Sequence, residues 1–257
     1  MTLLELAKRL DRAAADAKPV AQLSNDHQFT LDEAYEIQRL AIAERLNRGE
    51  QMIGLKMGFT SEAKMKQMGV HDMIWGRLTN TMLIDNGGET PLSKYIHPRV
   101  EPEICFKISK DIECEVALND LDDYVDGIAA AVEIIDSRYE NFKFSLEDVV
   151  ADNCSSIGLA VGEWQTPTRD IANLKMTQSF NGEVVAVGSS NAILGDPWKS
   201  LQAATRLAEK YDEPIKAGYV LMAGASTAAE FLKSDTDVQV VVEKHGRVRF
   251  QVVRSNI

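Results

Sequence analysis

The chain has 257 residues, 45% apolar and 26% charged, ordinary globular proportions that exclude disordered, collagen-like and low-complexity architectures. Twenty-eight basic against 39 acidic side chains leave a formal charge of -11, which argues against nucleic acid or a membrane surface as partner and toward a small molecule. The length suits one domain over 1–257, with 1–50 as a helical N-terminal portion.

At the N-terminus, charges interleave with the apolar face of Leu3, Leu4, Leu6, Ala7 and Leu10, which reads as an amphipathic helix and not an export signal. No apolar run approaches the roughly 20 residues that span a bilayer. A cytoplasmic location is the expectation. Thr30 and Glu33 have capping-box spacing and open a second helix, whose apolar side holds Leu31, Ala34, Tyr35, Leu40 and Ala41. After Gly49, MIGLKMG reads as a strand, and Ser61 then caps a short helix, EAKMKQMG.

The run 100–107 alternates so that Glu101 and Glu103 share one face of a strand, and Pro102 pushes that strand toward a sheet edge or a bulge. GIAAAVEIID (127–136) is a buried strand broken only by Glu133, a carboxylate in need of a partner. Asn181-Gly182 joins a hairpin, and a second turns at His245-Gly246. Between them Asp196-Pro197 opens a helix running to about Lys210. The pattern is α+β, with helices in front and a strand-rich body behind. Cys105, Cys114 and Cys154 are odd in number and form no close pair, so buried free thiols are expected, without disulfides or thiolate zinc.

Three carboxylates on apolar strands are costly. About 4 Å apart at an effective dielectric of about 20, each like-charged pair repels by roughly 4 kcal/mol, so Glu101, Glu103 and Glu133 require protons or a cation. A hard divalent ion answers this, Mg²⁺ first and Mn²⁺ also admissible. Spacing alone does not decide, since Glu113 and Glu115 repeat it in a charged stretch that reads as a solvated face. Lys56, in GLKMGFTS, either holds an anionic substrate or snorkels to solvent. Ser155 and Ser156 offer donors to a substrate carboxylate, and Arg138, Tyr139 and Lys143 an anion-binding cluster. The four histidines are scattered, His97 alone lying near the acidic strand, and no serine-hydrolase elbow, phosphate loop or dinucleotide fingerprint occurs.

Taken together, GLKMGFTSEAKMKQMGV, IHPRVEPEI, VEIIDSRYENFKF and VVADNCSS resemble, in order and over essentially the whole chain, the hydratase/decarboxylase family of meta-cleavage aromatic degradation. That family lies within the fumarylacetoacetate hydrolase superfamily. The resemblance implies that superfamily's strand-rich mixed fold, with Glu101, Glu103 and Glu133 as metal ligands, Lys56 as the active-site lysine and Ser155 as a substrate contact. It further implies a homo-oligomer complexed with 2-hydroxypenta-2,4-dienoate hydratase. Ile74 stands where the hydratases look to carry an acid, and DSRYENFKF is similar to the decarboxylase version of its segment. Both favour loss of carbon dioxide from a 2-oxo dicarboxylate, 2-oxo-3-hexenedioate, over addition of water. Asp72 could supply the acid if the register shifted. The other readings are the hydratase itself, a carbon–carbon bond hydrolase, whose histidine and carboxylate dyad is not found, and a non-catalytic partner that keeps the fold.

Overall fold

In the computed structural model, which describes residues 1–60, 65 and 72–254, two reciprocal caps set the first helices. The Thr2 hydroxyl accepts from the Glu5 N–H while Glu5 accepts from the Thr2 N–H, starting α1 (Leu3–Ala15), and Thr30 and Glu33 do the same for α2 (Leu31–Asn47). Helix α1 buries Leu6, Ala7, Leu10 and Ala13, whereas Leu4, at the margin of the stripe, stays 41% exposed. Helix α2 buries Ala34, Tyr35, Ile37, Gln38 and Ile42. Ser61, the expected helix cap, and His71 lie outside the described residues.

The larger sheet runs β2 (Ile74–Thr79), β1 (Met52–Gly58), β10 (Val220–Ala225), β5 (Arg99–Ile108), β6 (Val125–Ile135), β7 (Ser156–Val161), β3 (Leu83–Ile84), with β11 (Glu230–Phe231) also paired to β5. It is mixed: β1 is parallel to β10 and β3 to β7, and the other pairs are antiparallel. A second sheet runs β4 (Glu89–Pro91), β13 (Arg247–Val253), β12 (Thr236–Val242), β8 (Lys175–Phe180), β9 (Glu183–Ser189). The Asn181-Gly182 hairpin joins β8 to β9 with both turn residues at positive φ, as a two-residue turn between right-twisted strands demands. Alternating Val238, Val240, Val242, Val248, Phe250 and Val252 face inward, and β12 and β13 pack on β6. Helix α3 (Leu146–Ala151) lies against α2, and α4 (Pro197–Lys210), N-capped by Asp196, against β10.

Pro102 does not make β5 an edge strand. The strand lies between β10 and β6, and the missing N–H falls where β10 bulges between Met222 and Ala225. The Pro102 carbonyl still accepts from the Ser226 N–H at 3.1 Å, and the extra residue sits on the partner strand β10, so β5 itself is neither an edge nor bulged at Pro102. Cys105 and Cys154 are buried free thiols, but Cys114 is exposed, since Glu113–Glu115 is a solvated stretch.

Candidate active site

Alternation on β5 and β6 sorts side chains between two faces. Val100, Ile104 and Phe106 of β5, with Ala130, Val132 and Ile134 of β6, join the main core. The intervening residues face the other way, where Cys105 and Ala131 meet Ile42, Leu78, Met82, Leu159 and Met222 in a small apolar floor. On that face the register sets Glu101 opposite Glu133, with Glu103 two residues on. Each of the three buried glutamates offers an oxygen, all within 4.8 Å of one another. Burial, reinforced by the Glu133 charge, pushes the Glu103 carboxyl well above its ordinary value. Burial raises Glu133 as well, against the pull of Lys56.

Lys56 does not snorkel. It is 4% exposed, and its Nζ lies 3.0 Å from Glu133 Oε2. Burial opposes the ammonium, but Glu133, with Cys154, Glu103 and Glu101 behind it, outweighs that and raises the lysine above its ordinary value. Gly76, opposite Lys56 on β2, leaves room for the lysine stem, since a Cβ there would lie 3.2 Å from Lys56 Cγ and 2.6 Å from the Asn153 carbonyl oxygen. Glu103 Oε2 accepts the Gly224 N–H at 2.7 Å, while Glu103 Oε1 and Glu133 Oε1 have no hydrogen-bond partner among the described residues. Among the described residues Lys56 is the ammonium at the trio, and orphaned hard oxygens such as Glu103 Oε1 and Glu133 Oε1 are what a divalent cation takes. The residues therefore fit such an ion.

The segment ADNCSS is strained. Asn153, Cys154 and Ser155 have φ of 51°, 52° and 60°, left-handed values that cost roughly 1–3 kcal/mol each outside glycine. Side chains hold the turn: Asn153 exchanges hydrogen bonds with the Arg77 backbone at 2.7 and 2.8 Å, and the Cys154 thiol donates to the Trp75 carbonyl at 3.0 Å. Ser155 thereby lines the cavity over the carboxylates, its buried Oγ without a partner among the described residues. That cavity, about 310 Å³, is also walled by Lys56, Glu101, Ile74, Phe142 and Phe144. Ile74 presents no proton-transfer group, and Asp72 does not replace it: it is exposed and paired with Arg206.

Three expected substrate contacts lie elsewhere. Arg138 is buried and spent on Asp152, with its Nη1 donating to the Asp136 and Ser156 carbonyls at 2.6 and 3.2 Å. Lys143 is exposed, turned away between the wall residues Phe142 and Phe144. Ser156 is not among the residues lining the cavity, and its buried Oγ has no hydrogen-bond partner among the described residues. His97 Nε2 is 3.8 Å from Asp136, but the two Asp136 oxygens accept the Ile96 and His97 backbone N–H groups at 2.6 and 2.9 Å, so the pair clamps a loop. Sequence reasoning missed Arg99. It lines the cavity on the same strand face as Glu101 and Glu103, and R-V-E-P-E carried that alternation one step further upstream. Its guanidinium carbon lies 4.4 Å from the Phe142 ring centroid and 4.2 Å from that of Phe231.

Residues 54–253, which include every side chain of this site, match the family model described as Fumarylacetoacetate (FAA) hydrolase C-terminal. A 4-oxalocrotonate decarboxylase of a Pseudomonas species is 50% identical over 250 residues, 97% of this chain and 98% of its own. A 2-keto-4-pentenoate hydratase of Paraburkholderia xenovorans strain LB400 is 31% identical over 225 residues, 86% of this chain and 84% of its own. The solved structure of 4-oxalocrotonate decarboxylase from Pseudomonas putida G7, complexed with magnesium and adipate, superposes with a TM-score of 0.94 at 34% identity, covering 98% of this chain and 97% of that one.

Proposed function

The chain belongs to the fumarylacetoacetate (FAA) hydrolase family, and on that premise we propose that it is a metal-dependent carbon–carbon lyase, removing carbon dioxide from 2-oxo-3-hexenedioate (4-oxalocrotonate) to give 2-hydroxypenta-2,4-dienoate. The observation that carries this reading is the buried trio of Glu101, Glu103 and Glu133 with the Lys56 ammonium beside it, beneath a cavity whose Ile74 wall has no acid. The greater identity to decarboxylases than to hydratases supports the same choice, as do the magnesium and adipate of the related structure.

Glu101, Glu103 and Glu133 would hold Mg²⁺, with Mn²⁺ as a substitute. When bound, the ion supplies Lewis-acid stabilisation for negative charge moving toward the 2-oxo group as the carbon–carbon bond breaks. Lys56, kept charged by Glu133, donates to the 2-oxo acid end and holds a proton ready for the 2-oxygen. The Ser155 hydroxyl orients the adjacent carboxylate. Ile74, Phe142 and Phe144 exclude water, which favours loss of carbon dioxide over hydration.

The dienol product is short-lived in water, which supports direct transfer to a 2-hydroxypenta-2,4-dienoate hydratase in a complex, with this chain itself a homo-oligomer in the cytoplasm. Among the described residues no helix is long and apolar enough to cross a membrane. The test is an ultraviolet assay of 2-oxo-3-hexenedioate consumption coupled to carbon dioxide detection. Equimolar carbon dioxide, lost on chelation and restored by Mg²⁺, is the expected result. Hydration of 2-hydroxypenta-2,4-dienoate without decarboxylation would instead make the chain a hydratase.

A further inference from the structure

Resting on the reading above, we propose that Arg99 selects the second carboxylate of the substrate: its guanidinium, held between Phe142 and Phe231 in the cavity wall, recognises the far end of a 2-oxo dicarboxylate and so distinguishes it from 2-oxo monocarboxylates. Placement comes first. Arg99, Glu101 and Glu103 alternate along β5 and share the face that carries the carboxylate trio. Arg99 therefore stands one two-residue repeat, about 6.7 Å of strand, beyond Glu101, a span of the order of an extended six-carbon chain. A substrate whose 2-oxo acid end lies over Lys56 and the trio directs its other end toward this guanidinium.

Orientation comes next. Phe231 pairs with Arg99 across the β11–β5 register, and Phe142 approaches from the segment after β6, where its own φ of 56° is left-handed. Two ring faces fix the plane of the guanidinium, which then offers a fork matched to a carboxylate. Its buried Nε has no hydrogen-bond partner among the described residues. Arg138 and Lys143, the cations the sequence suggested for this role, are excluded, one by Asp152 and the other by facing solvent.

The chemistry sets where the effect falls. The far carboxylate leaves as carbon dioxide, so a contact to it is stronger in the ground state than in the transition state. Sharing the positive charge with two aromatic faces moderates that grip. Arg99 thus acts as a specificity residue, on KM more than on kcat.

The test uses the magnesium-loaded protein with two probes: adipate, which has a far carboxylate, and oxalate, which has only a chelating end. Arg99→Gln should raise KM for 2-oxo-3-hexenedioate and weaken adipate binding in calorimetry by about 10- to 100-fold, the worth of a charged hydrogen-bonded contact. Oxalate affinity should stay at the wild-type value. Phe231→Leu, at a position 56% exposed and so compatible with folding, should act in the same direction more weakly. Unchanged adipate affinity and KM in Arg99→Gln would overturn the assignment, as would equal weakening of adipate and oxalate. Wild-type protein that fails to bind oxalate in a Mg²⁺-dependent way would overturn the underlying metal reading, a result distinct from both.

Discussion

Glu133 meets two opposing demands, since it closes a cluster of buried negative charge and also ties down the Lys56 ammonium. Replacing it by glutamine removes a ligand and frees Lys56. Glu133→Gln should lower Mg²⁺ affinity by more than the roughly 10- to 100-fold that outer partners of metal sites command, and abolish turnover. Lys56→Met should separate the two functions: Mg²⁺ binding is retained in calorimetry, while kcat falls by about 10²- to 10⁴-fold, the range of a proton-transfer group. The titration has a definite sign. Glu103 and Glu133 carry raised carboxyl values, so the metal-free site holds protons more readily than free glutamate does. Mg²⁺ must displace them. Its binding should release protons, and its affinity should fall as pH is lowered, which calorimetry in buffers of differing ionisation enthalpy measures directly.

Elements place these residues, and here the limits of sequence reading are physical. Period-two alternation made Glu101 and Glu103 share a face, and a single charge in an apolar run marked Glu133, because both are local patterns. Which element touches which is not local. Arg99 finds Phe231 from a two-residue strand more than 130 positions later, and the cation–carboxylate pair of Arg138 and Asp152 closes across a strained turn. Arg138→Met should therefore act on stability, with substrate KM unchanged: stranding buried Asp152 costs about 3–5 kcal/mol in urea unfolding. Pro102 shows the same limit, since a strand short of one N–H can still be central if its neighbour bulges. That bulge is itself functional, because Gly224, at φ +112°, turns its N–H to Glu103, and a Cβ there would fall 2.1 Å from Thr60 Oγ1. Gly224→Ala should cost about 1–3 kcal/mol by forcing both the backbone and Thr60. It should weaken Mg²⁺ binding as well, measured on folded protein well below its melting temperature.

For the whole molecule, β1, β2, β5 and the segments that follow β6 enclose a site that is electrostatically unfavourable when no ion is bound. Groups whose carboxyl values rise on folding contribute stability at low pH and lose it as pH climbs through the raised values, so metal-free protein should lose stability as pH rises. Mg²⁺ at a hundredfold excess over Kd adds about 2.7 kcal/mol, roughly 5 to 10 °C in Tm for a chain of this length. At a fixed Mg²⁺ concentration the gain should be larger at roughly pH 8 than at roughly pH 5, because less proton is displaced. Glu133→Gln should abolish it.

Anomalous scattering from crystals loaded with Mn²⁺, which accepts the same oxygen ligands, bears most directly on the carboxylate trio. One peak should lie between Glu101, Glu103 and Glu133, with an oxygen of each within about 2.2 Å. An active, Mn²⁺-saturated enzyme with its only peak elsewhere, or with these three side chains turned away from the ion, would contradict the assignment.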